Sequence, residues 1–593
     1  MKVIFKAKLE ILHRTDKVKK VLSKMIPSFS QCRPISNYAD IKDCLANPPE
    51  WVNRVLPLKK RSSFVIRNNP EDCHCQEDSF NPGSRIDSRT VPKTLVCHDY
   101  KGGYQADSYI PFEGQEDKTL VTDGYPFYNW SQIDYFIYFS HHFITIPPLA
   151  WVNAGHRNGV KVLGTIITEN NEGIKICDEE IFSSSTEMRE FVYQLTEIQR
   201  TFGFDGWLLN FENKVKNPGL LISFVDILTR KTHEQDSENV VIWYDSVTKN
   251  GELKWQNQLS SENRCFFDCC DAIFLNYTWT EATLIKSVEA AGARRFDVFV
   301  GIDVFGRGMF GGGMFNTYKA TKLARKHDLS IAIFAPGWTH ETLEKNLQST
   351  AFHRFLNRDD AFWASLWPYL YTHPINDFFE TDFHIGLDYN FYNMYIQKPQ
   401  ISRILYPENL KTIPKYQQIE SLNYCACLSR SFFETKNVCL ISTDNFEDAP
   451  EGMFAHRIFA CDIKLSGKIG LYIVTKRLTN NDNTRVKIIL RTSLNSGALR
   501  LVKLLDEPNA SPTNNVTLLE VNPLKDHEIQ YNVTLNNIAK RYMKWLNNPR
   551  YTGSVLLSMY EFSTTSCNLL DVAATIENGT SIYLLDIGLI QLN

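Results

Sequence analysis

The sequence predicts an α/β chain: a (β/α)8 barrel of the TIM type followed by a C-terminal β-sandwich region. Three observations carry that expectation. Eight short runs rich in β-branched and aromatic residues recur between residues 94 and 338. Between them lie longer amphipathic stretches, the alternation that builds parallel βα units. From about residue 437 the amphipathic helices give way to short strands.

Taken in order, residues 1–90 are polar and punctuated by proline without sustained periodicity, and a segment such as SFNPGSRIDSRT reads as loop. The barrel is expected over 91–375. Its strands fall at 94–100, 135–142, 161–168, 206–213, 240–247, 272–280, 297–305 and 330–338. Helices are expected from TEMREFVYQLTEIQRTFG, PGLLISFVDILTRKTHEQ, TLIKSVEAAGA and FNTYKATKLARKHD, each with apolar residues at three- and four-residue steps. Eight strands close a barrel of ordinary size; a doubly wound open sheet is the alternative topology. Residues 376–436 read as a connecting segment. Residues 437–593 read as the sandwich, with strands in HRIFACDIKL, KIGLYIVTK, TRVKIILRT, SVLLSMYEF and SIYLLDIGLIQL. Its expected role is to buttress the barrel, with carbohydrate binding as the alternative.

Composition narrows the partners. A length of 593 residues exceeds what one core organises, so several domains are expected. A net charge of −3 gives no basic field to gather phosphates, so nucleic acid is not an expected partner. The stretch MKVIFKAKLEILHRTDKVKK is interrupted by charges too often for a signal peptide, and there is no apolar run of about eighteen residues. The expectation is a cytosolic protein without membrane attachment. Cys97, Cys177, Cys439 and Cys461 sit singly inside apolar runs and read as free thiols. The pairs Cys73/Cys75 and Cys425/Cys427 lack the spacing of structural zinc sites, so no metal is expected.

In a (β/α)8 barrel the chemistry gathers at the C-terminal ends of the strands. The fourth strand, GWLLNFEN, sends Leu208, Asn210 and Glu212 to one face and Trp207, Leu209 and Phe211 to the other. A carboxyl there is held partly protonated by desolvation, which suits Glu212 to general acid work on a glycosidic oxygen. A 2-acetamido sugar supplies its own nucleophile through its carbonyl oxygen, and Asn210 can orient that group and stabilise the charge that develops on it. An Asn-x-Glu on a strand is common; its place at the end of the fourth of eight strands gives it weight.

The segment FGFDGWLLNFEN resembles the signature of glycoside hydrolase family 85, the endo-β-N-acetylglucosaminidases. YFSHHFITIPPLAWVNAGHRNGVKVLGTIITE, VIWYDSV, FLNYTW, VFVGIDVFGRG and IFAPGW resemble the same family's barrel in the same order. The resemblance implies retaining, substrate-assisted cleavage between the two core GlcNAc residues of N-glycans, on glycoproteins or free oligosaccharides, without a cofactor and in the cytosol. It implies that Asn210 orients the acetamido group, that Glu212 protonates the leaving oxygen and then activates water, and that Tyr244 assists at the same group. The parity of Ile242, Tyr244 and Ser246 agrees, although a core tyrosine fits equally. Trp255, Trp279 and Trp338 are candidates to stack on sugar, against the ordinary expectation of buried indoles. Asp303 and His142 are candidate sugar hydrogen-bonders. Asn170 departs from the family, which more often has an aromatic there.

Two other functions compete. A chitinase of glycoside hydrolase family 18 carries FDGIDIDWE where this chain has FDGWLLNFE, so Leu208 and Asn210 stand in place of carboxylates. A glycan-binding barrel without catalysis is the other, and the presence of Glu212 argues against it. The sequon at Asn276 falls inside an expected strand, where a glycan has no room.

Overall fold

The computed structural model describes residues 29–592 apart from 69–73, 77–84, 113–124, 344–350, 385–386, 392–400, 406–425, 434–435, 444–453, 479–484, 550, 552 and 576–579. All eight expected barrel strands form: β1 Thr94–His98, β2 Tyr135–Tyr138, β3 Lys161–Glu169, β4 Gly206–Glu212, β5 Val240–Tyr244, β6 Ala272–Leu275, β7 Val298–Asp303 and β8 Ser330–Phe334. They pair in parallel around a closed ring, β8 returning to β1 and β3 to β4. Closure excludes the doubly wound sheet, which keeps two free edges.

The helices wrap the outside: α1 Leu149–Arg157, α2 Ser185–Phe202, α3 Pro218–Gln235, α4 Arg264–Cys269, α5 Glu281–Ala291, α6 Thr317–Lys326 and α7 Ala351–Leu366. Local chemistry sets their ends. Ser184 caps α2 by accepting from the Glu187 amide, and Gly203 ends it in the left-handed conformation at φ 66°. Pro218 opens α3, and Thr280 with Thr283 forms a capping box on α5. Between β1 and β2 no α-helix occurs among the described residues; short 3-10 turns at 106–108 and 130–132 stand there.

Strand alternation divides the core into two shells. Leu95, Ile137, Leu163, Leu208, Ile242, Phe274, Phe299 and Ala332 fill the barrel interior. Trp207, Leu209, Phe211, Trp243 and Ile273 point outward to the helices. Gly206 is required where β4 begins: its φ is 144°, and a Cβ there would stand 1.8 Å from the Val240 carbonyl oxygen.

Part of the segment expected to be irregular is built into the fold. Phe64–Arg67 pairs with Arg85–Asp87 and with Tyr371–Thr372, and Trp51 is buried against Phe202. Arg61 donates to the carbonyls of Trp130, Ile133 and Asn158, pinning that segment to the barrel wall. Such short pieces carry no periodicity, which is why the sequence pattern reads them as loop. Cys73 and Cys425 lie outside the described residues.

The C-terminal region is one bent sheet folded over its own core. Its strands are β9 Ala426–Phe433, β10 Lys436–Thr443, β11 Phe454–Arg477, β12 Lys487–Leu494, β13 Leu499–Leu504, β14 Leu518–Val521, β15 Val555–Thr575 and β16 Ser581–Gln591. Strands β11 and β15 run through both layers, bending at register shifts near Gly467, which has φ 75°. Two runs read separately from the sequence, 456–465 and 468–476, are therefore one strand. Ile441, Leu471 and Leu584 from one layer meet Leu490, Val502 and Leu569 from the other. A helix that the strand pattern did not anticipate, α9 Val533–Leu546 after α8 Asp526–Tyr531, covers the outer face with Leu535, Ile538 and Tyr542. The sheet docks on the barrel through paired backbone bonds between Ile375 and Ala460/Asp462, and through Ser62 Oγ donating to Asp462 at 2.6 Å.

Candidate active site at the barrel mouth

A cavity of about 230 Å³ opens at the C-terminal ends of the strands. Each strand sends its last inward residues there: Cys97 and Asp99 from β1, Phe139 and His141 after β2, Ile167 on β3, Leu208, Asn210 and Glu212 on β4, Tyr244 on β5, Phe274 and Tyr277 from β6, Asp303 and Arg307 from β7, and Phe334 on β8. Pockets for drug-sized ligands usually span roughly 300–1,000 Å³, so this one is small.

Glu212 stands above Leu208 and Asn210 on the inner face of β4. Burial raises its pKa above the ordinary carboxylate value and the nearby Glu169 raises it further; a hydrogen bond from Asn210 and the charge of His141 pull it back. Asn210 is buried, and its Oδ1 has no hydrogen-bond partner. The amide thus serves Glu212 with one end and presents an unpaired acceptor with the other, which a buried site tolerates only at a cost of about 1–3 kcal/mol until a ligand donor arrives.

Tyr244 is buried beside them. Its hydroxyl donates to Asn276 Oδ1 at 2.8 Å, and burial followed by the Glu212 charge keeps it protonated far above its usual pKa. Asn276 Nδ2 donates to Asn257 Oδ1 at 2.9 Å, and the Asn257 amide is held by Asp245 at 2.7 Å. Asp245 also accepts from Asn263 Nδ2 at 2.8 Å and from the Gln256 amide, anchoring the loop after β5; burial lifts its pKa from 3.8 to about 6. Strand β6 ends at Leu275, so Asn276 falls just beyond it and its side chain is engaged in this network, contrary to the strand assignment made from sequence.

Asp303 also lines the mouth, buried and gripped by Arg307 Nε at 2.7 Å and by the amides of Phe305 and Arg307. The other four candidates lie outside the cavity lining. Trp279 is buried with its Nε1 donating to the Gly301 carbonyl at 2.8 Å. Trp338 is buried under the Arg358 guanidinium, 4.4 Å from its ring, with Phe315 edge-on. Trp255 is exposed on the loop that Asp245 anchors. His142 turns to Ser36 at 3.2 Å, and His141 takes the inward place. Parity of the second strand already contains that result, because Tyr135, Ile137 and Phe139 point inward and 141 follows them. Asp99 continues Leu95 and Cys97 on the same rule. Tyr277 and Arg307 lie past their strand ends, where alternation gives no guide. Asn170 has a left-handed φ of 56°, which Asn adopts more readily than a bulky residue.

Among the described residues no cluster of three or more His, Cys, Asp or Glu side chains is arranged to hold a metal. No helix among them is long and apolar enough to cross a membrane. Cys97, Cys177 and Cys461 are buried free thiols.

Residues 109–391, which contain the mouth from β2 to β8, match the sequence model of glycosyl hydrolase family 85. That match makes the barrel similar to the family over just under half of the chain. This chain is 45% identical over 299 residues to "Cytosolic endo-beta-N-acetylglucosaminidase" of Homo sapiens, which covers 50% of this chain and 38% of the relative. It is 43% identical over 340 residues to "Cytosolic endo-beta-N-acetylglucosaminidase 2" of Arabidopsis thaliana, covering 56% and 47%. The chain therefore spans less than half the length of these relatives. The crystal structure of the glycoside hydrolase domain of Endo-D from Streptococcus pneumoniae R6 superposes with a TM-score of 0.63 over 94% of this chain and 83% of that one; at 14% identity the likeness is one of fold. Asn210, Glu212 and Tyr244 all fall inside the matched segment.

Proposed function

We propose that the chain is an endo-β-N-acetylglucosaminidase that hydrolyses the GlcNAc-β1,4-GlcNAc bond of the N-glycan core, on glycoproteins or free oligosaccharides, with the substrate's acetamido group as nucleophile. The observation that carries this reading is the pair on β4: a carboxyl biased toward its protonated form, beside a buried amide whose acceptor oxygen is unpaired. Asn210 Oδ1 is suited to accept the N–H of a 2-acetamido group. That contact holds the acetamido carbonyl oxygen under the anomeric carbon and stabilises the positive charge spreading onto the amide.

In the first step Glu212 gives its proton to the glycosidic oxygen as the acetamido oxygen bonds to C1 and the C1–O bond breaks, leaving an oxazolinium-type ring and the Glu212 carboxylate. In the second, that carboxylate takes a proton from water while the water oxygen attacks C1 and reopens the ring, so the configuration is retained. Tyr244 is suited to donate to the acetamido oxygen by turning its single O–H from Asn276 Oδ1 to the substrate. The word cytosolic in the relatives' names accords with the buried free thiols, which persist where disulfides do not form.

The test is a glycopeptide bearing one Asn-linked high-mannose glycan, followed by mass spectrometry. Wild type is expected to leave one GlcNAc on the peptide, and Glu212→Gln and Asn210→Ala to lose turnover. A matched substrate carrying a fluorinated acetamido group on the reacting ring should react more slowly with each added fluorine, because the carbonyl oxygen becomes a poorer nucleophile. Rates indifferent to fluorine sink the substrate-assisted route, and cleavage of chito-oligosaccharides with intact glycopeptide replaces it with a chitinase reading.

A further inference from the structure

Glu212 has a charged neighbourhood that its two-step role, proposed above, does not by itself explain. Barrel closure sets β4 beside β3 in a register that pairs Glu212 with Glu169, the last residues of the two strands. One strand further round, His141 Nδ1 lies 3.2 Å from Glu169 Oε2, and His141 lines the same cavity as Glu212. Neither residue is buried in the core: the side chains are 58% exposed for His141 and 29% for Glu169. An acid, a second carboxylate and an imidazole therefore stand in sequence across three adjacent strands.

The other charged or titratable groups facing the cavity are Cys97 and Asp99 from β1, Tyr244 from β5, Tyr277 after β6, and Asp303 with Arg307 from β7. Asp303 and Arg307 neutralise one another at 2.7 Å, and Phe334 on β8 is apolar. Glu169 at the end of β3 and His141 just after β2 are the charged groups on the side of Glu212 that faces β3.

We propose that Glu169 and His141 form a positioning pair for the Glu212 proton, Glu169 holding it on for the first step and His141 easing its departure. A single carboxyl that must be acid in one step and base in the next works best when neither form is strongly favoured. Burial alone favours the acid. Glu169 adds to that bias, while His141 opposes it and is itself shifted toward its charged form by its hydrogen bond to Glu169 and by the charges of Asp99 and Glu212, against the opposing effect of burial. Neither residue is assigned contact with the reacting atoms; both act through Glu212.

This inference rests on Glu212 being the acid/base, and its test separates the two. The pH dependence of kcat/KM on the glycopeptide is measured for wild type, Glu169→Gln, His141→Asn, the double variant and Glu212→Gln. The alkaline limb reports loss of the acid in the free enzyme. Removing the Glu169 charge lets Glu212 ionise more readily, so that limb moves to lower pH. Removing the His141 charge moves it to higher pH, and the double variant returns it toward the wild-type position. A purely structural role lowers the rate at every pH and leaves the limb in place. Limbs that stay put, or that move together in one direction, overturn the pair. Loss of activity at all pH in Glu169→Gln, restored by azide with formation of a glycosyl azide, also overturns it by making Glu169 the nucleophile. A Glu212→Gln chain that still turns over brings down the acid/base reading itself, whatever the limbs do.

Discussion

Replacing Tyr244 by Phe removes one hydroxyl and leaves the ring packed against Phe274, 5.4 Å between centroids. That hydroxyl ends a chain of polar groups running through Asn276 and Asn257 to the buried Asp245. The chain sets its place before any substrate arrives. Two effects of different size follow. On the fold, Asn276 Oδ1 loses a donor at the edge of the cavity, which costs about 1 kcal/mol, or a few degrees or less in Tm. On catalysis, a group that orients the acetamido oxygen beneath C1 is lost, which lowers kcat by about a hundredfold, or about 2.7 kcal/mol.

The asymmetry between those two numbers is the prediction. It is checked by kcat and KM on the glycopeptide beside thermal unfolding of the same preparations. Asn276→Ala keeps the hydroxyl and removes its anchor, so its kcat should fall between wild type and Tyr244→Phe. The double variant should be little worse than Tyr244→Phe alone, because both changes cut one chain. A Tyr244→Phe enzyme with kcat within about threefold of wild type, a barrier change of about 0.7 kcal/mol, refutes the assignment of Tyr244 to the reaction.

Asp245, raised from 3.8 to about 6, binds its proton more tightly in the folded chain than in the unfolded one. Its stabilising effect is full below pH 3.8 and lost as pH rises through about 6, a change on the order of 3 kcal/mol for a rise of about two pH units. Asp245→Asn should therefore flatten the fall in Tm between pH 5 and pH 7.5 that wild type shows, and parallel curves for the two count against it. Gly206→Ala should fail to yield folded enzyme, since the added Cβ meets the Val240 carbonyl at 1.8 Å; a soluble, active Gly206→Ala chain contradicts the barrel register. Trp279→Ala should cost about 3–5 kcal/mol of stability with KM for the glycopeptide changed little among folded molecules, whereas a large KM effect at unchanged Tm restores the stacking role. Cys97, buried with its thiol pKa raised by that burial, should resist alkylation in the native chain while the partly exposed Cys265 and Cys269 react. Peptide mapping after timed labelling gives the order.

The sequence by itself determined the barrel and the inner pair of its fourth strand. Strand alternation has a period of two and needs no partner to be read, so Asn210, Glu212 and Tyr244 were placed inward from the chain alone, and the same rule contains His141 over His142. Spacing likewise gave the number of strands, because each run must bury both faces between helices and barrel interior. The tertiary structure decided what depends on neighbours distant along the chain. Whether an indole meets sugar or core is set by what packs on it: Trp279 finds the Gly301 carbonyl and Trp338 the Arg358 guanidinium, while Trp255 is left exposed by a loop anchored on a buried carboxylate. Two runs in the C-terminal region became one strand because a glycine and register shifts carry β11 through both layers, a continuity that polarity patterns do not record. Glu169 stands beside Glu212 through the pairing register of β3 with β4, and His141 joins them because β2 adjoins β3. Residues 43 and 71 positions apart along the chain from Glu212 therefore share its charge balance only after the barrel has closed.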